Sequence, residues 1–320
     1  MIYLFLFLIS FTMTYLIKNH ALKNSLVAEV NERSSHTSPT PHGGGIAIAF
    51  TWFAGLSYLY FDEQIEAKLF YALMVGVIIA AVSYADDLFE LSTKLRLAVQ
   101  SGVALLGLFA LGGLELIDFG IFVVKNQIIT NLFAFLLIVW FINLYNFLDG
   151  IDGYAGSEAL FLALAGLILF GGAHFIVLAV SVLGFLVWNW HKAKIFMGDV
   201  GSTLLGYTVA VFTLYYANQE SANMWVWITL FGLFWFDATL TLLRRYRNGE
   251  ALGKAHKKHA YQRLTQSGWS HDRVVKYSIV INLFFLTLIF LIANKATVFF
   301  VSITVLYGIV KFIDNKKRFI

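Results

Sequence analysis

Eleven apolar segments of membrane-spanning or nearly spanning length follow one another along this chain. They lie roughly at residues 1–17, 43–61, 69–84, 97–113, 130–146, 157–173, 174–190, 201–217, 224–243, 275–293 and 296–311. In hydrocarbon each segment has to satisfy its own backbone hydrogen bonds, which makes the helix the way to fold such a run. Of the 320 residues, 59% are hydrophobic and 13% charged, about half the charged share of a soluble domain. The expectation is an all-α, polytopic membrane protein, a single domain over residues 1–320. It has eleven transmembrane helices, or ten if the sixth and seventh segments merge. The absence of cysteine excludes disulfides and thiolate metal sites.

The first segment has no basic residue ahead of it and is followed by Lys18, His20 and Lys23, which reads as an uncleaved helix starting outside. Counting from there, every Lys and Arg except Lys68, Lys125 and Lys295 falls on the cytoplasmic side. A miscount by one helix in the middle would destroy this asymmetry. The same map puts Asp86, Asp87, Asp149, Asp152 and Asp199 on the cytoplasmic face at helix–loop junctions, while Asp62, Glu63, Glu66, Glu115, Asp118 and Glu220 lie outside. Five carboxylates at three junctions of one face point to a polar site at the membrane surface.

The centre of that site is Asn143-Leu-Tyr-Asn146-Phe-Leu-Asp149-Gly150-Ile-Asp152-Gly153. Its four polar side chains recur every three residues and share one side of a helix, and its glycines loosen the backbone where the carboxylates appear. A polar C-terminal cap is the plainer reading, although aspartate there opposes the helix dipole. Asp86-Asp87 follow a helix, with Lys94 and Arg96 shortly after. Adjacent acids repel unless a cation lies between them, and Mg²⁺ suits a few carboxylate oxygens plus substrate phosphates. In Lys194-Ile-Phe-Met-Gly198-Asp199-Val-Gly201-Ser202, an aspartate opens a helix in a glycine-flanked turn. That helix start suits a phosphate, or Asp199 is a plain N-cap.

The long loop from Arg244 carries Lys254, His256, Lys257, Lys258, His259 and Arg263. Its arginines read mostly as a topology-fixing collar, and its histidines, set among lysines without a zinc motif, as phosphate contacts. Asp237 is the one acid well inside an apolar segment, either functional or paired with Arg244 two turns on. Pro39 and Pro41 are the only prolines, in Arg33-Ser-Ser-His36-Thr-Ser-Pro39-Thr-Pro41-His42-Gly43-Gly-Gly45. Three glycines leading into a helix admit a close backbone or ligand.

Five ordered motifs over about residues 30–265 resemble the polyprenyl-phosphate N-acetylhexosamine-1-phosphate transferases, glycosyltransferase family 4. They are the Pro-Thr-Pro-His-Gly-Gly-Gly stretch, Asp86-Asp87, the Asn143 to Asp152 stretch, Phe-Met-Gly-Asp199-Val-Gly-Ser and the His256/His259 loop. The Arg-Ser-Ser-His and His-Ala-Tyr-Gln-Arg versions look most like enzymes that initiate bacterial O-antigen, and the triple histidine of the peptidoglycan branch is missing. Two prolines expected of the family, near Val30 and shortly before Lys194, are also missing.

The resemblance implies transfer of an N-acetylhexosamine-1-phosphate from a UDP-aminosugar to undecaprenyl phosphate at the bacterial inner membrane, releasing UMP. It implies Mg²⁺, with Mn²⁺ as the alternative, held by Asn146 and Asp199, and Asp86 and Asp87 beside it as catalytic residues, one of them a candidate base. Asn143, Asp149 and Asp152 would orient nucleotide or sugar, and Lys94, Lys194, His256, His259 and Arg263 would contact phosphate. A homodimer is implied as well. The sugar stays open among GlcNAc, FucNAc and QuiNAc.

A secondary transporter of an anionic solute is the rival from another class. It would place charge and broken helices near the midplane, which only Asp237 approaches. A CDP-alcohol transferase would need an Ala-Arg pair and two later acids after Asp149-Gly150, which this chain does not have.

Overall fold

The structure, a computed structural model, describes residues 1–23, 27–28, 40–254 and 256–319. The Arg33-Ser-Ser-His36 stretch and Pro39 lie outside the described residues. Fourteen helices are found among the described residues. They are α1 (Ile2–Lys23), α2 (Gly45–Phe61), α3 (Ala67–Met74), α4 (Gly76–Phe89), α5 (Thr93–Leu111), α6 (Gln127–Phe147), α7 (Tyr154–Phe170), α8 (Ala173–Asn189), α9 (Asp199–Gln219), α10 (Ala222–Leu230), α11 (Gly232–Arg247), α12 (Ala260–Gln266), α13 (His271–Leu291) and α14 (Lys295–Lys316). The described strands are two antiparallel pairs of two residues each, Val27–Ala28 with Thr40–Pro41 and Ile117–Asp118 with Val123–Val124. The fold is nearly all helical, as expected.

Each apolar segment falls on helix. Among the described residues, seven helical stretches are long and apolar enough to cross a membrane, with α3 and α4 together forming one of them. The pair α10–α11 makes an eighth if counted as one span, and α2, α7 and α8, at 17 residues each, sit at the short end of spanning length. The sixth and seventh segments do not merge, because Gly171 and Gly172 both take positive φ (72° and 101°) and turn the chain between α7 and α8. The segment at 224–243, read as one continuous helix, bends by 76° between α10 and α11. This bent pair has the geometry of a broken span or of a re-entrant loop, and no proline announces it.

Helix α9 is the axis of the bundle, with every residue from Val200 to Ala217 buried. Its sequence suits that place. Gly206 lies where a Cβ would meet the α6 backbone at Phe141 and Ile142, and Thr203 and Thr213 return their hydroxyls to carbonyls one turn back. The glycine run before α2 serves the same purpose. A Cβ on Gly45 would strike the Gly201 backbone, so α2 and α9 start in backbone contact, and the Gly44 and Gly45 amides donate to the Phe196 and Met197 carbonyls at 3.0 and 2.8 Å. The close partner allowed by these glycines is backbone.

Both ends of the bundle are polar. At one end the C-termini of α4 and α6 meet the N-terminus of α9. At the other, Asn218 donates to the Gly113 carbonyl and Trp225 to that of Asp118, and Tyr215 donates to Glu66.

Candidate active site

The junction of α4, α6 and α9 opens into a cavity of about 420 Å³ whose wall includes Asp86, Asn143, Asn146, Asp199, His256 and His259. These are six of the residues singled out from sequence, drawn from four motifs. Asp86 sits in the last turn of α4, where the dipole works against a carboxylate. Two donors offset that, the Leu91 backbone N–H to Oδ1 at 2.7 Å and Arg96 Nη1 to Oδ2 at 3.0 Å. The return is set by Glu90, in the left-handed region (φ 49°), and by Ser92, whose hydroxyl accepts from Leu95 N–H and starts α5. Arg96 also stands 3.9 Å from Asp199 Oδ2, so one guanidinium serves two carboxylates.

Asp199 is the first residue of α9, after Gly198 in positive φ (77°). Asn146, in the last turn of α6, donates its amide to Asp199 Oδ1 at 2.9 Å and to the Ser202 hydroxyl at 3.0 Å. Ser83 and Thr203 share a hydroxyl hydrogen bond at 2.8 Å and lock α4 to α9 just below. Asn143 donates to Gln100 Oε1 and stands one turn deeper on α6. Asp87 lies behind this wall, against the Asp199 backbone amide, and Gly198 leaves it room: a Cβ there would stand 3.4 Å from its Oδ2.

Asp149 follows α6, off the cavity wall. Burial, and secondarily the Asp199 charge, push its carboxyl up to about 7. Gly150 beside it is required by contact, since a Cβ there would strike the Tyr261 hydroxyl, which donates to the Phe147 carbonyl at 3.1 Å. Gly150 is a packing point as well as a place where the backbone is loosened. Gly153 takes φ 72° as the start of α7.

The loop after α11 reaches over the cavity and is held from beneath by Arg245. This side chain is 2% exposed and donates to Glu250 and to the carbonyls of Ala251, Leu252 and Lys254. Arg245 is thus the scaffold of the loop, correcting its reading as part of a charged collar. Asp237 is correct as a buried acid but has a different partner from the one expected. It accepts from the Ala260 N–H at 2.8 Å and from Thr241, and lies 3.5 Å from His259 Nδ1. Arg244 instead makes a two-pronged pair with Asp314, both contacts 2.9 Å. His256 accepts the Lys258 N–H on Nδ1 at 3.2 Å, and burial, with His259 and Arg245 adding to it, lowers its pKa to about 4. With Nδ1 accepting, the neutral ring carries its proton on Nε2.

Four expected contacts lie elsewhere. Lys94 is exposed and off the wall, and the neighbouring Arg96 takes the inward position. Lys194 is exposed, with its ammonium 5.4 Å from the centre of a Trp188 ring. Arg263, 3% exposed, is bound by Asp314 at 2.6 Å and the Lys317 carbonyl at 3.0 Å, tying α12 to the end of α14. Asp152, 4% exposed, pairs with His191 and His271. Arg96 and Lys254, named from sequence but given no role in the site, are on the wall, as are Gln100 and Thr203. The serine cap that sets the phase of α5 was the available cue for Arg96.

The model of the family described as "Glycosyl transferase family 4" matches residues 69–217, a span that holds the α4, α6 and α9 carboxylates and ends before the His256 loop. The decaprenyl-phosphate N-acetylglucosaminephosphotransferase of Mycobacterium leprae is 31% identical over 84% of this chain and 77% of its own length. The chain belongs to glycosyl transferase family 4. Two other members of the family are similar over most of their length. The probable undecaprenyl-phosphate N-acetylglucosaminyl 1-phosphate transferase of Bacillus subtilis (strain 168) is 29% identical over 94% of this chain and 86% of its own. The undecaprenyl-phosphate alpha-N-acetylglucosaminyl 1-phosphate transferase of Yersinia pestis is 28% identical over 84% and 77%. Membership in the family gives the transporter reading no support.

Proposed function

We propose that the protein transfers N-acetylglucosamine-1-phosphate, or a related N-acetylhexosamine-1-phosphate, from its UDP-sugar to undecaprenyl phosphate in a bacterial cytoplasmic membrane. All eleven apolar helical stretches cross the membrane in this reading, and the cavity faces the cytoplasm. The product opens a lipid-linked envelope polysaccharide such as O-antigen. The observation that carries the proposal is the convergence of Asp86, Asp199 and Asn146 on one cavity with a single arginine between the carboxylates.

An oxygen of the lipid phosphate attacks the sugar-bearing phosphorus. The bond from that phosphorus to the bridging oxygen breaks, and UMP leaves with the electron pair. Both reactants are anions, so the main barrier is charge. The donor set here fits Mg²⁺: hard oxygens of Asp86, Asp199 and Asn146, with more carboxylates than Arg96 balances. When held there, Mg²⁺ supplies charge neutralisation to the pyrophosphate oxygens. Arg96 beside the carboxylates, with Lys254 and His256 of the loop, offers donors to phosphate. The second pKa of a phosphate monoester is about 6, so the acceptor arrives mostly dianionic, and Asp86 and Asp87 place charge more than they remove a proton.

The test is UMP release by purified protein with undecaprenyl phosphate and a panel of UDP-N-acetylhexosamines, in Mg²⁺ and in EDTA. The expected result is release that needs both lipid and metal, with the best donor naming the sugar. Folded protein in lipid that releases no UMP from any donor overturns the proposal.

A further inference from the structure

The loop that lines the cavity with Lys254, His256 and His259 is anchored at its two ends by different means. Its start is held locally, by the Arg245 contacts to Glu250, Ala251, Leu252 and Lys254. Its end runs into α12, which at seven residues is too short to hold a position by itself and takes it from tertiary contacts. Arg263 of α12, 3% exposed, donates from Nη1 to Asp314 Oδ1 at 2.6 Å and to the Lys317 carbonyl at 3.0 Å. Asp314 also receives both prongs of Arg244, at the end of α11. The Phe319 ring, just past α14, has the Arg244 and Arg263 guanidinium carbons 5.3 and 5.4 Å from its centre and the Lys258 ammonium 5.7 Å from it. We propose that Asp314 and Phe319 are positioning residues, a latch through which the end of α14 fixes the loop donors over the cavity and so sets the affinity for the diphosphate of the nucleotide-sugar. The assignment of that ligand rests on the transferase reading of the cavity.

The latch reaches the substrate through the loop. Asp314, Phe319, Arg263 and Lys258 are all off the cavity wall, whereas the residues they hold in place lead directly to it. His259 is the N-cap of α12, so whatever moves α12 moves a wall residue. Lys258 joins the two anchors, since its ammonium also pairs with Glu250 at 2.8 Å and Glu250 pairs with Arg245 at 3.1 Å. Without the Asp314 charge, the buried Arg263 guanidinium keeps one carbonyl acceptor and the face of the Phe319 ring among the described residues, and a buried charge left without its counter-ion is costly. The helix relaxes toward water and carries the end of the loop with it, while the start stays tied to Arg245. Asp86, Asn146 and Asp199, on α4, α6 and α9, are undisturbed. Donors that hold phosphate equally well in the ground state and the transition state are felt in KM and not in kcat.

The experiment measures UMP release by full-length protein in detergent, with saturating undecaprenyl phosphate and varied UDP-N-acetylhexosamine, together with backbone hydrogen exchange of the loop. Asp314→Asn is expected to raise KM for the donor about tenfold, with kcat within about threefold of wild type. Exchange should quicken in the loop and α12 and stay unchanged in α9. Asp314→Glu, which keeps the charge, should return KM most of the way to wild type. If Asp314→Asn does not fold, Phe319→Leu, which removes the ring and leaves the ion pairs, carries the comparison with about a threefold rise in KM. The proposal is overturned if Asp314→Asn lowers the melting temperature and leaves KM and loop exchange at wild-type values, the result expected of a purely structural ion pair. A fall in kcat with KM unchanged overturns it too. Wild-type protein that releases no UMP overturns the transferase reading instead, and the latch then stands or falls on the exchange difference alone.

Discussion

Arg96 reaches Asp86 at 3.0 Å and Asp199 at 3.9 Å, which makes it the counter-ion of the carboxylate pair whenever no metal is bound. In the proposed reaction it would compete with Mg²⁺ for the same oxygens and offer phosphate a donor. Removing it should lower two kinetic quantities at once. Arg96→Ala is expected to lower kcat about 100-fold, through the lost donor to phosphate, and to lower the Mg²⁺ concentration for half-maximal rate. A magnesium titration of UMP release reads both, and a higher metal requirement would show that Arg96 acts only on substrate. Asp149 gives a second prediction. Its carboxyl, pushed from 3.8 to about 7 mainly by burial, binds its proton more tightly in the folded chain than in the unfolded one. Stability from this group is present at low pH and is lost as pH rises through that window. In EDTA, the melting temperature of Asp149→Asn should gain on wild type as pH rises from 4 to 7 and level off above it; a constant offset would assign Asp149 no such role. At this scale sequence could pick residue types but could not tell neighbours apart. Lys94 and Arg96 have the same charge two residues apart, and only the helix phase set at Ser92 decides which faces inward. Arg263 is held by Asp314, 51 residues along the chain, a distance no local pattern spans.

The helices themselves were legible, because a spanning helix announces itself by apolar length and its ends by polar and glycine residues. The break between α10 and α11 was hidden for the same reason: an apolar run reads alike whether it is straight or bent by 76°. Also concealed was a polar pair inside the bundle. On α7, Glu158 (2% exposed) accepts from Asn282 of α13 at 2.6 Å, while Glu158 Oε1 and Asn282 Oδ1 find no partner among the described residues. The amide of Asn282 is a single donor to a carboxylate away from water, and a charge so placed is costly. Glu158→Gln keeps the shape, cannot ionise, and brings an amide N–H to a pair that has two unpartnered oxygens. It should raise stability by about 1 kcal/mol, the usual net value of one hydrogen bond, with UMP release intact. Thermal unfolding in detergent measures the change, and a lower melting temperature would mean that the carboxylate has a function in place.

At the scale of the whole molecule, the sorting of basic residues and the position of the carboxylates make one joint prediction about sidedness. Gln266, in the last turn of α12, belongs to the polar end with the cavity. Glu220, just past α9, belongs to the opposite end, where Asn218 and Trp225 bond to the 113–118 connection. Both are exposed, and because the natural chain contains no cysteine, a single introduced thiol is the only one that can react. If the N-terminus lies outside and all eleven segments cross, a membrane-impermeant maleimide should label Glu220→Cys in intact spheroplasts. It should label Gln266→Cys only after the membrane is opened. The two positions are separated by the bent α10–α11 pair, so the experiment also tests whether that pair crosses. Labelling of both from one side would make the pair re-entrant, and the opposite pattern would invert the protein. Inversion would put the cavity on the face away from cytoplasmic UDP-sugar, and the proposed reaction could not then run, whatever the geometry of Asp86 and Asp199.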